Sequence, residues 1–379
     1  MKKYNVDELL KIAKRFNNKK RSYLLVNPLQ GKHLPVSPSS ALEMMKTLGD
    51  KLAKKFPDCK LVIGFAETAT AIGATVANSF GENCIYIHTT RENFSDENNF
   101  INFLEEHSHA PEQKLFCDKL DERINNTSSV IFVDDEISTG KTLRNIISQL
   151  KFRYPALKNK KISVASVINR LTSENEKFFE EENISCEYLI KPDEKIIDVS
   201  DFKISAPKIL NPSKETSEKI FFEKINFSFN PRFGVRIGDY MRELKNFGER
   251  ILNFVEKNNS VLILGTEECM LPAIIAGKIL EENNFEVVTH STTRSPIGIC
   301  TEKNYPVTEG YQIKSFYDSS RTNYIYNLKF YDSVFVISDA KFFESESVKN
   351  LIAALEVHGF GKIIFFGGEN VQHLQTERR

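Results

Sequence analysis

The sequence predicts an α/β fold in which short parallel strands alternate with helices in two successive domains. Three observations predict it. Compact apolar runs recur at Lys60–Gly64, Cys84–His88, Ser129–Val133 and Lys161–Ile168, with a shorter one at Glu187–Ile190. The rhythm returns at Val261–Gly265, Glu286–His290, Ser333–Ile337 and Lys362–Gly367. Stretches of helical length separate these runs, so each run reads as a buried strand of a mostly parallel sheet covered by helices. At 379 residues the chain is long enough for two cores of ordinary size.

The elements follow in order. Ser40-Ala-Leu-Glu43 has the form of a capping box and opens a helix carrying Leu42, Met45, Leu48 and Leu52. Lys60–Gly64 is a strand ending at glycine, and a helix rich in small residues follows it. Ser129–Val133 is a strand that leads to a helix from about Thr142 to Phe152. Between 191 and 218 the pattern breaks up, with three prolines, many charges and no sustained period. That stretch is the linker candidate, placing one domain over 1–205 and a second over 215–379.

Composition narrows the function classes. Fifty-one basic residues balance fifty-one acidic ones, so the chain lacks the charge excess of a nucleic-acid binder. Its six cysteines are scattered without a CxxC pair, which suggests buried reduced thiols rather than a zinc cluster or a disulfide framework. No apolar stretch approaches the roughly 18 residues of a membrane span, and the N-terminus lacks a secretory signal. A cytoplasmic protein is the expectation.

The sharpest signal runs from Val130 to Thr142. An apolar strand delivers Asp134 and Asp135 at its C-terminal end, where α/β sheets place ligands. A short loop, Ser138-Thr139-Gly140-Lys141-Thr142, then leads into a helix. Its amides, its hydroxyls and the helix dipole make a phosphate site, and Gly140 lets the backbone close around the anion. Adjacent acids would repel a bare anion; they fit a ligand that also presents vicinal hydroxyls, as a ribose does. The Gly-Lys-Thr triplet is not a Walker P-loop, because the required earlier glycine is Asp135.

This segment resembles the signature of type I phosphoribosyltransferases, which bind phosphoribosyl pyrophosphate (PRPP). The resemblance implies that Asp134 and Asp135 hold the ribose hydroxyls and that Ser138, Thr139, Gly140, Lys141 and Thr142 hold the 5′-phosphate. Upstream, Gly64 to Gly73 is similar to the family's pyrophosphate loop, assigning Ala66, Glu67 and Thr68 to pyrophosphate; a plain strand-to-helix turn capped by Thr68 is the alternative. After the next strand come Arg91 and a polar stretch containing His107 and His109, in the part of the chain where the family closes a mobile loop. These three are candidates for pyrophosphate contact, against a surface loop or a His-x-His metal pair lacking a third ligand. Val26 to Pro35, with Lys32 and His33, is either part of an acceptor pocket or a simple entry loop.

A narrower resemblance spans nearly the whole chain. The order GFAETATAIG, HTTRE, EEHSHAPEQ, VDDEISTGKT and then Thr293-Arg294-Ser295-Pro296 is similar to bacterial phosphoribosyltransferase-like proteins with a C-terminal TRSP domain, associated with tellurite-resistance and stress gene clusters. The halves also share ordered anchors: Gly64 with Gly265, Arg91 with Arg294, and Asp135 with Asp339, separated by 201, 203 and 204 residues. These suggest a duplicated unit, with chance similarity of two α/β domains as the alternative. The second half lacks the Thr-Gly-x-Thr loop, so a different ligand is expected there. Thr292, Thr293, Arg294, Ser295 and Asp339 are its candidate site, with Arg294 and the Thr292 and Thr293 hydroxyls pointing into a crevice to contact an anion, or else a structural loop.

The resemblance implies transfer of the phosphoribosyl group to a small acceptor with release of pyrophosphate, in making or modifying a nucleoside-like metabolite. A non-catalytic PRPP or nucleotide sensor is the alternative. Mg²⁺ is expected to arrive with PRPP rather than in a cage of protein ligands. The expected partners are PRPP and the acceptor, with a homodimer left open and neither membrane nor nucleic acid indicated.

Overall fold

A computed structural model describes residues 2–17, 22–94, 99–103, 113–193, 197–211, 218–340 and 345–368. Contacts divide the chain into two compact units. The first comprises Met1–Val6, Glu43–Glu194 and Phe229–Arg242; the second comprises Asp7–Leu42, Lys195–Ser228 and Glu243–Arg379. Both are α/β, and the chain passes between them several times where the sequence suggests two consecutive domains. No helix among the described residues is long and apolar enough to cross a membrane.

The first unit is built on strands β1 (Leu61–Gly64), β2 (Ile85–His88), β3 (Ser129–Ile137), β4 (Lys161–Asn169) and β5 (Ile184–Ile190). They lie in the order β2-β1-β3-β4-β5, all parallel. Val235–Arg236 adds an antiparallel edge to β2. Ile63 sits in register between Ile87 and Phe132, and all three are buried. Helix α1 (Thr70–Asn78) follows β1 and helix α2 (Lys141–Arg153) follows β3. The buried face of α2, Leu143, Ile146, Ile147 and Leu150, joins Phe132 and Val164 in one core. Its spacing of three and four residues is that of a helix with one apolar stripe. Between β2 and β3 an antiparallel pair is inserted, Phe100–Phe103 with Gln113–Phe116.

The second unit repeats this plan. Its strands are β6 (Ile220–Lys224), β7 (Ser260–Gly265), β8 (Glu286–Ser291), β9 (Tyr331–Ile337) and β10 (Phe360–Gly367), ordered β6-β10-β9-β7-β8 and all parallel. Helix α3 (Leu271–Glu282) follows β7 and helix α4 (Glu346–Glu356) precedes β10. The antiparallel pair Gly310–Lys314 with Thr322–Tyr326 lies between β8 and β9. Thus β8-β7-β9-β10 repeats β2-β1-β3-β4, with a hairpin inserted at the same point. The fifth strand differs: β5 follows β4 in the chain, whereas β6 precedes β7.

Two local readings change. The helix expected from Ser40 begins at Pro38 and runs to Lys55. Ser37 caps it, its hydroxyl accepting from the Ser40 amide at 3.3 Å, because proline suits the first helical position. Residues 197–211 of the stretch read as a linker are built into the second unit: Lys208–Ile209 pairs with Tyr311–Gln312, Ser205 bridges Ile299, and Phe202 packs on Tyr305.

Candidate functional site

The C-terminal ends of β1, β2, β3 and β4 gather the first unit's polar residues. Strand β3 is buried from Ser129 to Val133, and then Asp134, Asp135 and Glu136 are half-buried. The Asp135 amide donates to Oδ1 of Asp134 at 2.9 Å, and the Thr68 hydroxyl donates to Oδ1 of Asp135 at 2.8 Å. Burial, followed by the neighbouring Asp135 charge, raises the Asp134 carboxyl well above the usual carboxylate range.

Beyond β3 the chain turns through Ser138 and Thr139 to Gly140, whose φ of 71° is a left-handed conformation that glycine adopts at little cost. Space also demands glycine: a Cβ there would lie 2.6 Å from Cε2 of Phe179. Helix α2 begins at Lys141, which is exposed, so the first-turn amides of a thirteen-residue helix meet the loop beside the paired acids. The Thr139 hydroxyl accepts from the Lys141 amide at 3.4 Å. Ser138 and Thr142 are half-buried.

The loop after β1 is held by backbone bonds. Phe65 N donates to Val133 O at 3.0 Å, and Ala66 N donates to the Thr89 hydroxyl at 2.8 Å. Ala66 and Glu67, joined by a cis peptide, are buried, and Thr68 is half-buried. Gly64 and Gly73 have a structural reason for their size: a Cβ on either would run into the Tyr86 ring, whose hydroxyl donates to Thr70 O at 2.6 Å. Arg91 follows Thr90, whose backbone pairs with Lys114 at 2.8 Å in both directions. His107 and His109 lie outside the described residues.

Sequence reasoning passed over a neighbouring group. Arg170, just after β4, lies 3.9 Å from Glu136, and the Lys191 ammonium pairs with Glu176 at 2.6 Å. Buried Asn169 donates to Glu176 at 3.4 Å and caps the Leu171 amide. The signal was present: Asn169 and Arg170 directly follow the apolar run at 161–168, at the same sheet edge as Asp134. Among the described residues no group of three or more His, Cys, Asp or Glu side chains could hold a metal ion.

In the second unit the equivalent crevice is differently used. The Thr292 hydroxyl accepts from the Glu267 amide at 3.0 Å and the Thr293 hydroxyl from the Ser295 amide at 3.2 Å, so both serve the backbone. Ser295 accepts the Tyr326 hydroxyl at its carbonyl, 2.7 Å away. Asp339 accepts a hydrogen bond from the Tyr317 hydroxyl. Arg294, expected to point into the crevice toward an anion, lies 3.5 Å from the buried Glu267 carboxylate of its own chain. Lys32 and His33 are buried within this second unit, with the Lys32 ammonium 2.7 Å from Glu267 O.

Comparison with known proteins finds two family models in succession along the chain. A family model described as phosphoribosyl transferase matches residues 9–191, and one described as the TRSP domain C-terminal to it matches 230–355. No curated sequence relative matches. Similar solved structures include adenine phosphoribosyl transferase from Trypanosoma brucei, in complex with AMP, pyrophosphate and ribose-5-phosphate. It is 14% identical over 49% of this chain and 77% of its own, with a TM-score of 0.35. The Giardia lamblia enzyme bound to 9-deazaadenine is 16% identical over 50% and 96%, with a TM-score of 0.37. Orotate phosphoribosyltransferase from Aeropyrum pernix is 14% identical over 48% and 88%, with a TM-score of 0.30.

Proposed function

We propose that this chain, which belongs to the phosphoribosyl transferase family with a C-terminal TRSP domain, transfers the phosphoribosyl group of PRPP to a small acceptor through its first unit. The observation that carries the reading is the meeting of Asp134 and Asp135 with the loop 138–142 and the start of α2 at the end of one strand. The two acids accept from the ribose 2′ and 3′ hydroxyls, while the loop amides and the Thr139 and Thr142 hydroxyls take the 5′-phosphate. The loop at Ala66, Glu67 and Thr68, together with Arg91, faces the pyrophosphate. The bond from C1 of the ribose to the pyrophosphate oxygen breaks and its electron pair leaves with the pyrophosphate. The acceptor's lone pair forms the new bond at C1, and the acceptor gives up a proton. Catalysis rests on positioning and on electrostatic stabilisation of the sugar cation and departing anion.

Mg²⁺ would enter this site on the pyrophosphate, with its waters. Its chemistry there is neutralisation of the leaving charge.

The test is thermal denaturation with PRPP and Mg²⁺, alongside an assay of pyrophosphate release with candidate acceptors. Native-state binding should raise the melting temperature. Asp134→Asn with Asp135→Asn should abolish that rise; an unchanged rise in the double variant would overturn the ribose assignment. Pyrophosphate release in no acceptor's presence, with binding intact, would favour the sensor instead. The same substitution has a second expected effect. A carboxyl whose folded pKa is raised contributes stability below its unfolded value, about 3.9, and loses it as pH rises through the folded one. At neutral pH the Asp134 carboxyl is therefore a cost to the ligand-free fold. Ligand-free Asp134→Asn should melt higher than the parent at pH 7, and less so in acid.

A further inference from the structure

The two units place different atoms at one equivalent position. Ala66 and Glu267 each stand two residues beyond the glycine that ends the first core strand. Their backbones are held alike. Phe65 N donates to Val133 O and Thr266 N to Ile337 O, at 3.0 and 3.2 Å. Thr89 N donates to Gly64 O and Thr292 N to Gly265 O, at 2.9 and 3.1 Å. Ala66 N and Glu267 N then donate to the hydroxyls of those two threonines, at 2.8 and 3.0 Å. The first unit therefore ends at a methyl group where the second projects a carboxylate.

That carboxylate is fully buried, with two donors on one oxygen and an ion pair on the other. Glu267 Oε1 accepts from the Ser315 hydroxyl at 2.7 Å and from the Phe316 amide at 3.0 Å. Oε2 faces the Arg294 Nε at 3.5 Å. Arg321 reinforces the set through Ser315, its Nη2 lying 3.4 Å from that hydroxyl. A guanidinium, a hydroxyl and a backbone amide around one carboxylate are what an oxyanion site consists of. A buried carboxylate persists only where such partners meet it.

We propose that the second unit retains an oxyanion site at the C-terminal ends of its strands and that the chain fills it with its own Glu267 carboxylate, closing it to phosphate and carboxylate ligands. The two units thereby divide the work: the first places only the Ala66 methyl group at the corresponding position, and the second carries an internal anion. Arg294 is then a ligand of Glu267 rather than of a metabolite, which replaces the anion-contact role its motif suggested.

The atoms that Glu267→Ala removes beyond Cβ are those of acetate, so acetate is the probe. The background is Asp134→Asn with Asp135→Asn, so that a failure here is separable from failure of the first-unit reading. In it, Glu267→Ala should lower the melting temperature, and added acetate should restore at least half of the loss. The same acetate should leave the Glu267 parent unchanged relative to chloride. Adding Arg294→Ala should remove the rescue. A parent that responds equally to acetate, a variant that does not respond, or a rescue that survives Arg294→Ala would each overturn the proposal. If Glu267→Ala is recovered insoluble, refolding in acetate against chloride decides: recovery in acetate alone supports the site, and failure in both overturns it.

Discussion

Gly140→Val is expected to abolish the response to PRPP and to destabilise the first unit by about 2–5 kcal/mol. Two independent costs combine. The φ of 71° forces a β-branched residue into a left-handed conformation it rarely adopts. The added side chain also meets Phe179, with Cε2 at 2.6 Å and Cζ at 2.8 Å from the new Cβ, and Leu171 Cδ2 at 3.1 Å. Phe179 is fully buried, so it has no open space to retreat into. Relief must come from moving the loop, which carries the phosphate-facing amides with it. Lys141→Ala is the contrast. Its side chain is exposed at the start of α2, and its removal should weaken PRPP binding by only about 1 kcal/mol. Urea denaturation and PRPP titration of both variants test the pair. Equal and severe losses would mean that Lys141 works as a triphosphatase lysine does, against the present reading.

The core of each unit was legible because a buried parallel strand writes itself as a short apolar run. Every strand of the two main sheets that such a run announced is present, and the glycines at 64 and 265 mark corresponding strand ends. The Asp-Asp and Ser-Thr-Gly-Lys-Thr segments were legible for a similar reason, since contiguous residues on a strand, a turn and a helix start cannot be far apart in space. What the sequence hid is pairing at edges. Val235–Arg236 against β2 and Lys208–Ile209 against Tyr311–Gln312 are two residues long, too short for any period to register. Those pairings carry 229–242 into the first unit and 197–211 into the second, so composition alone drew the boundary too simply. Partners distant in sequence were equally hidden. Arg294 read as an anion ligand because nothing in its own segment announces Glu267, and nothing near Gly64 or Gly73 announces the Tyr86 ring that also requires their small size.

Acid should weaken the second unit far more steeply than its carboxylates alone require. His33 and His290 are buried, and both are held neutral. Burial, then the Lys32 charge and the neighbouring His290 and Arg15, push His33 down to about 3. Burial, opposed by bonding to backbone carbonyls and assisted by Lys32, pushes His290 down to about 4. The sign follows from the direction. A base depressed in the folded state contributes stability above its unfolded value, about 6.5, and loses it as pH falls toward the folded one. Between about pH 6.5 and 4 each imidazole should therefore cost about 1.4 kcal/mol per pH unit, on the order of 6 kcal/mol for the two together. That is comparable to the whole stability of an ordinary domain. Asp134 acts in the opposite sense in the first unit, so acid should open the second unit first. His33→Phe isolates the effect, because neither ring nitrogen of His33 has a hydrogen-bond partner among the described residues and the ring lies in a buried setting. The pH slope of the urea midpoint, followed by circular dichroism, should fall by about half in the variant, and its acid midpoint should move to lower pH. An unaltered slope would place the acid sensitivity elsewhere and remove the two histidines from its cause.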